Sequence, residues 1–284
     1  MTMKNHSIVD VMIFCLGYFV IVSLVVLSFS GSPVKKETNT KLFRRHMSSI
    51  TSDDKSLPML RESSRRIFFI RHGEVINPGG DRKVYYGAMD VSLSSLGKEE
   101  AKAAARYLQL YDLDIVASSP LSRAIFGAEQ IIKLQKKNQL SDVDAPGVLI
   151  LDGFKELDRG SWCGLTKDEI GVEMMRKFDA CDEKVTPDGG ESLSFLENRV
   201  LSARDELLKK VPIGRAGAIV SHLQVTRCIL GDALGIPTSD ISDLEIATAS
   251  ITCIDYDSTS GKQVIHFRSF KPNSGLPASN DGAN

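Results

Sequence analysis

Ile67-Phe68-Phe69-Ile70-Arg71-His72-Gly73-Glu74 is the stretch from which the rest of the chain can be read. Four consecutive apolar residues rich in β-formers predict a short buried strand. The strand runs straight into a cation, an imidazole and a residue without a side chain. In open α/β sheets the carboxyl ends of the strands are where ligands bind. Arg71 can grip an anion through two parallel N–H groups, His72 can act as nucleophile or proton carrier, and Gly73 allows close backbone approach. A strand followed by a polar turn would look the same, so the other strand ends have to decide.

Working outward, residues 75–89 contain Asn77-Pro78-Gly79-Gly80 and Tyr85-Tyr86-Gly87 and read as a loop forming one wall of any site at Arg71-His72. Ser94 is placed to cap a helix whose apolar face runs through Ala101, Ala104, Ala105, Tyr107 and Leu108. Ile115-Val116-Ala117 predicts a second strand ending at Ser118-Ser119-Pro120, and a helix with Arg123 near its start follows. Val148-Leu149-Ile150-Leu151 predicts a third strand leading to Glu156-Leu157-Asp158-Arg159-Gly160. Residues 166–184 read as a helical insert broken at Pro187-Asp188-Gly189-Gly190, and residues 191–210 as a long amphipathic helix. Gly217-Ala218-Ile219-Val220 runs into Ser221-His222, a helix follows from 225 to 234, and Ile251-Thr252-Cys253-Ile254 reads as the last strand. Strands alternating with helices predict an α/β fold with a mostly parallel sheet and helices on both faces.

The 284 residues, 42% hydrophobic, are enough to bury a sizeable core. A formal net charge of −1 gives no sign of bulk nucleic-acid binding. The five cysteines are scattered without a CxxC pair, which argues against a disulfide framework or a cysteine zinc site. Residues 11–29 carry no charge and are close to the roughly 20 residues that cross a bilayer. A cleaved signal peptide is the competing reading, since Ser28 and Ser30 precede Gly31 in a small-x-small arrangement. The apolar run is longer than a signal-peptide core, and Lys35, Lys36, Lys41, Arg44 and Arg45 follow it, so a single-pass anchor with the C-terminal domain in the cytosol is the expectation. The organisation read from composition is an anchor over 1–30, a flexible linker over 31–65, a catalytic domain over 66–270 and a frayed tail over 271–284.

Arg71-His72, Ser119 with Arg123, Glu156 and His222 therefore arrive at four separate strand ends on one sheet edge. Phosphoryl transfer accounts for this set: arginines neutralise the transferring oxygens, a histidine attacks phosphorus and a carboxylic acid protonates the leaving oxygen. A metal site fits less well, because two arginines would repel the cation.

Arg71-His72-Gly73-Glu74, Ser118-Ser119-Pro120-Leu121-Ser122-Arg123-Ala124 and Ser221-His222 resemble, in order and spacing, the three landmarks of the histidine phosphatase superfamily, also called phosphoglycerate-mutase-like. The resemblance covers residues 66–270. It implies a three-layer α/β/α sandwich, no cofactor or metal, and His72 as the nucleophile that becomes phosphohistidine. It further implies a phosphate pocket of Arg71, Arg123 and His222, with Glu156 as proton donor. Asn77 and Ser119 are further phosphate-contact candidates. Leu223-Gln224 stand after His222 where many members have glycine. Glu156 is followed by Leu157-Asp158-Arg159-Gly160, unlike the Glu-His-Tyr-Gly of dedicated mutases, and no Arg-Arg pair lies in residues 166–190, which favours hydrolase over mutase. A non-catalytic tethered binding module is the third alternative. The expected partners are a phosphorylated small molecule or a phosphoprotein as substrate and the membrane through residues 11–29, with homodimerisation left open.

Overall fold

The computed structural model describes residues 57–138, 147–182 and 184–276. The apolar run of residues 11–29, the linker as far as residue 56 and the last eight residues of the tail lie outside them. Among the described residues no helix is long and apolar enough to cross a membrane.

The opening stretch forms strand β1 (Ser64–Arg71). It is hydrogen-bonded in parallel to β4 (Ala216–Ser221) and antiparallel to β5 (Ile251–Asp257). Its apolar run is unbroken because both faces of the sheet are covered. Ile67 and Phe69 face one core, shared with Leu196, Val200 and Leu207 of helix α5 (Leu193–Lys210) and with Cys228 and Ile229 of α6 (Leu223–Leu234). Phe68 and Ile70 face the other, with Ala104 and Leu108 of α1 (Ser95–Leu108) and Ala124, Ala128 and Ile131 of α2 (Ser122–Asn138). Those two cores make the three layers expected of this pattern of elements.

The sheet has six strands in the order β3-β2-β4-β1-β5-β6, where β2 is Leu113–Ser118, β3 is Leu149–Ile150 and β6 is Gln263–Phe270. The β3-β2-β4-β1 part is parallel, so the carboxyl ends of β2, β4 and β1 share an edge. The third strand is only two residues long, shorter than its apolar run suggests.

Strand β6 is a difference from the expectation that β5 ends the sheet. It lies at the sheet margin, paired only with β5, and carries Gln263, His266 and Arg268 among its apolar residues. Half-exposed edge strands of that kind lack the buried run that marks the others.

Helix signals near the site behave as read. Ser94 caps α1 by accepting the Gly97 N–H at 3.0 Å. The insert resolves into two short helices, α3 (Lys167–Ile170) and α4 (Val172–Asp179), rather than one, because Gly171 between them sits at φ 97°. Gly73 has a packing reason besides backbone access: a Cβ there would stand 2.1 Å from the Gly97 carbonyl oxygen of α1. The loop after His72 therefore lies directly against the helix start.

Candidate active site

The parallel pairing of β1 with β4 carries the two histidines to the same place. His72 follows β1, and its N–H donates to Ser221 O at 2.9 Å. The His72 carbonyl accepts from Ala249 N at 3.0 Å, which pins the backbone on its other side. His222 is the N-cap of α6, and its ring centroid lies 5.1 Å from that of His72. Arg71, His72, Arg123, Glu156, Ser119 and His222 are all buried. The set gathered from four strand ends is one cluster.

The state of His72 follows from its contacts. Its Nδ1 is 2.7 Å from Gly73 O, and a carbonyl only accepts, so Nδ1 carries the hydrogen. Nε2 then holds the lone pair, and Arg123 Nε–H points at it from 3.3 Å. Burial pushes the His72 imidazole well below its usual protonation range, and the charges of Arg123 and Arg71 push it further, while the Gly73 hydrogen bond opposes them. A neutral imidazole whose Nε2 carries a lone pair rather than a hydrogen is the form that attacks an electrophile.

Each arginine is oriented by backbone carbonyls rather than by carboxylates. Arg123 donates to Met89 O at 2.6 Å and Gly87 O at 2.8 Å, and its guanidinium carbon lies 5.3 Å from the Tyr86 ring centroid. Arg71 donates to Ile246 O at 2.6 Å, while its Nε is buried without a partner. Neutral tethers leave the positive charges uncompensated, which suits them to an incoming anion. Burial lowers both guanidinium pKa values, with Tyr86 and Glu156 the leading groups that oppose it.

His222 Nε2 is 2.6 Å from Ser119 Oγ, and its Nδ1 is buried without a partner. Burial, then Arg123, His72 and Arg71, holds this imidazole neutral as well. Ser119, read as a phosphate contact, is thus engaged with His222. Asn77 lines the pocket beside Arg71 and His72. Its amide is occupied by the loop itself, donating to Val84 O at 3.1 Å and accepting from Gly79 N at 2.9 Å. It therefore shapes the wall of the site. Glu156 accepts from Leu157 N at 2.8 Å and from Gln224 N at 3.4 Å, so the backbone after His222 turns towards the carboxylate.

Several neighbours escaped the sequence reading. Buried Glu100 accepts from Glu74 N at 2.9 Å and Thr248 Oγ1 at 3.2 Å, and it pairs with Lys271. Nothing in a helical Glu-Glu pair marks one member as buried. Lys271 stands in the stretch read as a frayed tail and is instead fastened to the pocket wall. Arg159 is buried as well, its guanidinium carbon 4.6 Å from the Tyr85 ring centroid. Among the described residues no group of three or more His, Cys, Asp or Glu side chains could hold a metal ion.

The architecture is that of the phosphoglycerate-mutase-like α/β fold. It superposes on a mycobacterial glucosyl-3-phosphoglycerate phosphatase with a TM-score of 0.61 at 24% identity, over 73% of this chain and 99% of the other. The chain belongs to the histidine phosphatase superfamily (branch 1), whose pattern it matches over residues 67–267. It is 30% identical over 193 residues to phosphoserine phosphatase 1 of Hydrogenobacter thermophilus, covering 66% of this chain and 85% of that protein. It is 29% identical over 195 residues to a 2,3-bisphosphoglycerate-dependent phosphoglycerate mutase of Methylorubrum extorquens, covering 65% and 86%.

Two buried neutral histidines give the fold a signed pH dependence. An unfolded histidine takes up a proton near pH 6.5, and these two resist it while folded. Stability is therefore retained above about pH 6.5 and lost as the pH falls below it. Urea unfolding at pH 7.5 and 5.5 should show the native chain losing about 1 kcal/mol more than His72→Gln over that interval. Equal losses would mean that His72 is protonated in the folded protein.

Proposed function

We propose that the chain is a phosphomonoester hydrolase working through a phosphohistidine on His72, with Glu156 as proton donor. The observation that carries this reading is the His72 ring, neutral and with its Nε2 lone pair beside Arg123. In the first step the His72 Nε2 lone pair attacks phosphorus as the ester P–O bond breaks. The leaving oxygen takes the Glu156 proton. In the second step water attacks phosphorus, Glu156 recovers a proton from it, and the P–N bond breaks to release phosphate. Arg71 and Arg123 neutralise the equatorial oxygens throughout, and buried donors are worth more than exposed ones because no water competes. His222, neutral and set by Ser119, would offer a ring N–H to the same oxygens.

Asp158, the other acid in the turn, accepts from Gly160 N at 2.9 Å and serves that turn. The relatives named for phosphoserine and phosphoglycerate favour a small phosphorylated metabolite over a phosphoprotein. The mutase relative keeps phosphoglycerate mutase as the second reading.

His72→Ala should reduce phosphate release from an aryl phosphate to background. Glu156→Gln should slow an alkyl phosphate roughly 100-fold or more, and an aryl phosphate much less, because only the alkoxide needs a proton to leave. Equal slowing of both esters would remove Glu156 from the acid role. If 3-phosphoglycerate is converted to its 2-isomer faster than phosphate is released, the mutase reading replaces hydrolysis.

Residues 11–29 are proposed to anchor the chain in a membrane with the domain on the cytosolic side, on the strength of their uncharged length and the basic residues after them. Alkaline carbonate should leave the full chain in the membrane pellet; release to the supernatant would contradict the anchor.

A further inference from the structure

One guanidinium holds the backbone of the turn that carries Glu156. Arg199 stands near the start of α5. Its five N–H groups meet five acceptors. Nε donates to Glu191 Oε2 at 2.9 Å, and one Nη2 hydrogen goes to Glu191 Oε1. Nη1 donates to Gly153 O at 3.0 Å and to Lys155 O at 2.8 Å, and Nη2 also donates to Glu156 O at 3.2 Å. Only a planar fork with five donors can satisfy a carboxylate and three carbonyls together.

Glu191 extends the hold along the turn. Its Oε1 accepts Asp158 N at 2.9 Å, and its own N–H donates to Asp158 O at 3.0 Å. The next residue, Ser192, caps α5 by accepting Phe195 N at 3.2 Å. The ion pair is well shielded, with the Arg199 and Glu191 side chains 21% and 10% exposed. Close packing adds to it, since a Cβ on Gly153 would stand 2.5 Å from Ala203 Cβ of α5. The backbone on both sides of Glu156 is therefore fixed to α5, while the Glu156 carboxylate meets Gln224 N of α6, the helix that His222 caps. The phosphate-binding groups are tethered elsewhere: Arg71 to Ile246 O, Arg123 to Gly87 O and Met89 O, and His72 Nδ1 to Gly73 O. None of those tethers runs through Arg199 or Glu191.

We propose that Arg199, braced by Glu191, is a positioning residue that sets the reach of the Glu156 acid towards the leaving oxygen. This rests on the phosphatase reading and assigns a residue to its acid step. Proton transfer needs donor and acceptor within hydrogen-bond distance, so a loosened turn slows the departure of a poor leaving group. Attack by His72 Nε2 and the grip of Arg71 and Arg123 on phosphate use none of these contacts. The fork, rather than the charge alone, does the holding, so a lysine cannot replace it.

The test is kinetic, on the full chain, with 4-nitrophenyl phosphate and phenyl phosphate. The two esters are close in shape, but phenoxide needs a proton to leave more than nitrophenoxide does. The ratio kcat/KM is the readout, because it excludes the later hydrolysis of the phosphoenzyme that both esters share. Arg199→Lys should lower kcat/KM for phenyl phosphate at least about fivefold more than for 4-nitrophenyl phosphate. Competitive inhibition by inorganic phosphate should stay within about threefold of the native chain. Glu191→Gln keeps an oxygen for Asp158 N but loses the ion pair. It should show the same selectivity to a smaller extent, which keeps the role testable if the Arg199 variant fails to fold. On a Glu156→Gln background, Arg199→Lys should add less than about twofold selectivity, since residues acting through one group are not additive. Equal slowing of both esters, native kinetics with lysine, or undiminished selectivity on the Glu156→Gln background would overturn the positioning role. Release of phosphate from neither ester by the native chain would instead sink the hydrolase reading, and the acid step with it.

Discussion

Parallel pairing of β1 with β4 is the constraint on which the site depends. Residues Arg66 to Arg71 run in register with Ala216 to Ser221, so the chain leaves both strands at the same level and delivers His72 and His222 side by side. The pairing is held by burial on both faces, Ile67 and Phe69 on one side and Phe68 and Ile70 on the other. A slip of one residue would exchange those faces and send the histidine elsewhere.

Burying Arg71 and Arg123 beside two histidines is unfavourable unless something compensates. Here the compensation is partial: carbonyl tethers from Gly87, Met89 and Ile246 orient the guanidiniums without cancelling their charge. The consequence is electrostatic. Both imidazoles stay neutral, and the region attracts anions strongly because water is excluded from it. Binding energy and nucleophile preparation thus arise from one arrangement.

Much of this was legible in the residues because buried strands advertise both their position and their ends. The apolar runs before Arg71, Ser119 and His222 gave the sheet edge and the residues on it. Strand β6 was not legible, since an edge strand with one partner need not carry a buried run. The burial of Glu100 and the fastening of Lys271 depend on contacts over 148 and 171 residues of chain, which no local pattern encodes. Asn77 lines the pocket and Ser119 meets His222, but their side chains are engaged with the loop and with that imidazole. Arg159 stood in plain view after Glu156; only the stacking on Tyr85 and the orphaned Nη1 mark it out.

The central claim is that His72 Nε2 accepts the phosphoryl group. Rapid alkaline quenching during turnover of a phosphomonoester, followed by peptide mapping, measures this directly. The account predicts an acid-labile, alkali-stable phosphate on the peptide containing His72. Steady turnover with no phosphate on that peptide, or with phosphate on His222 instead, would contradict it.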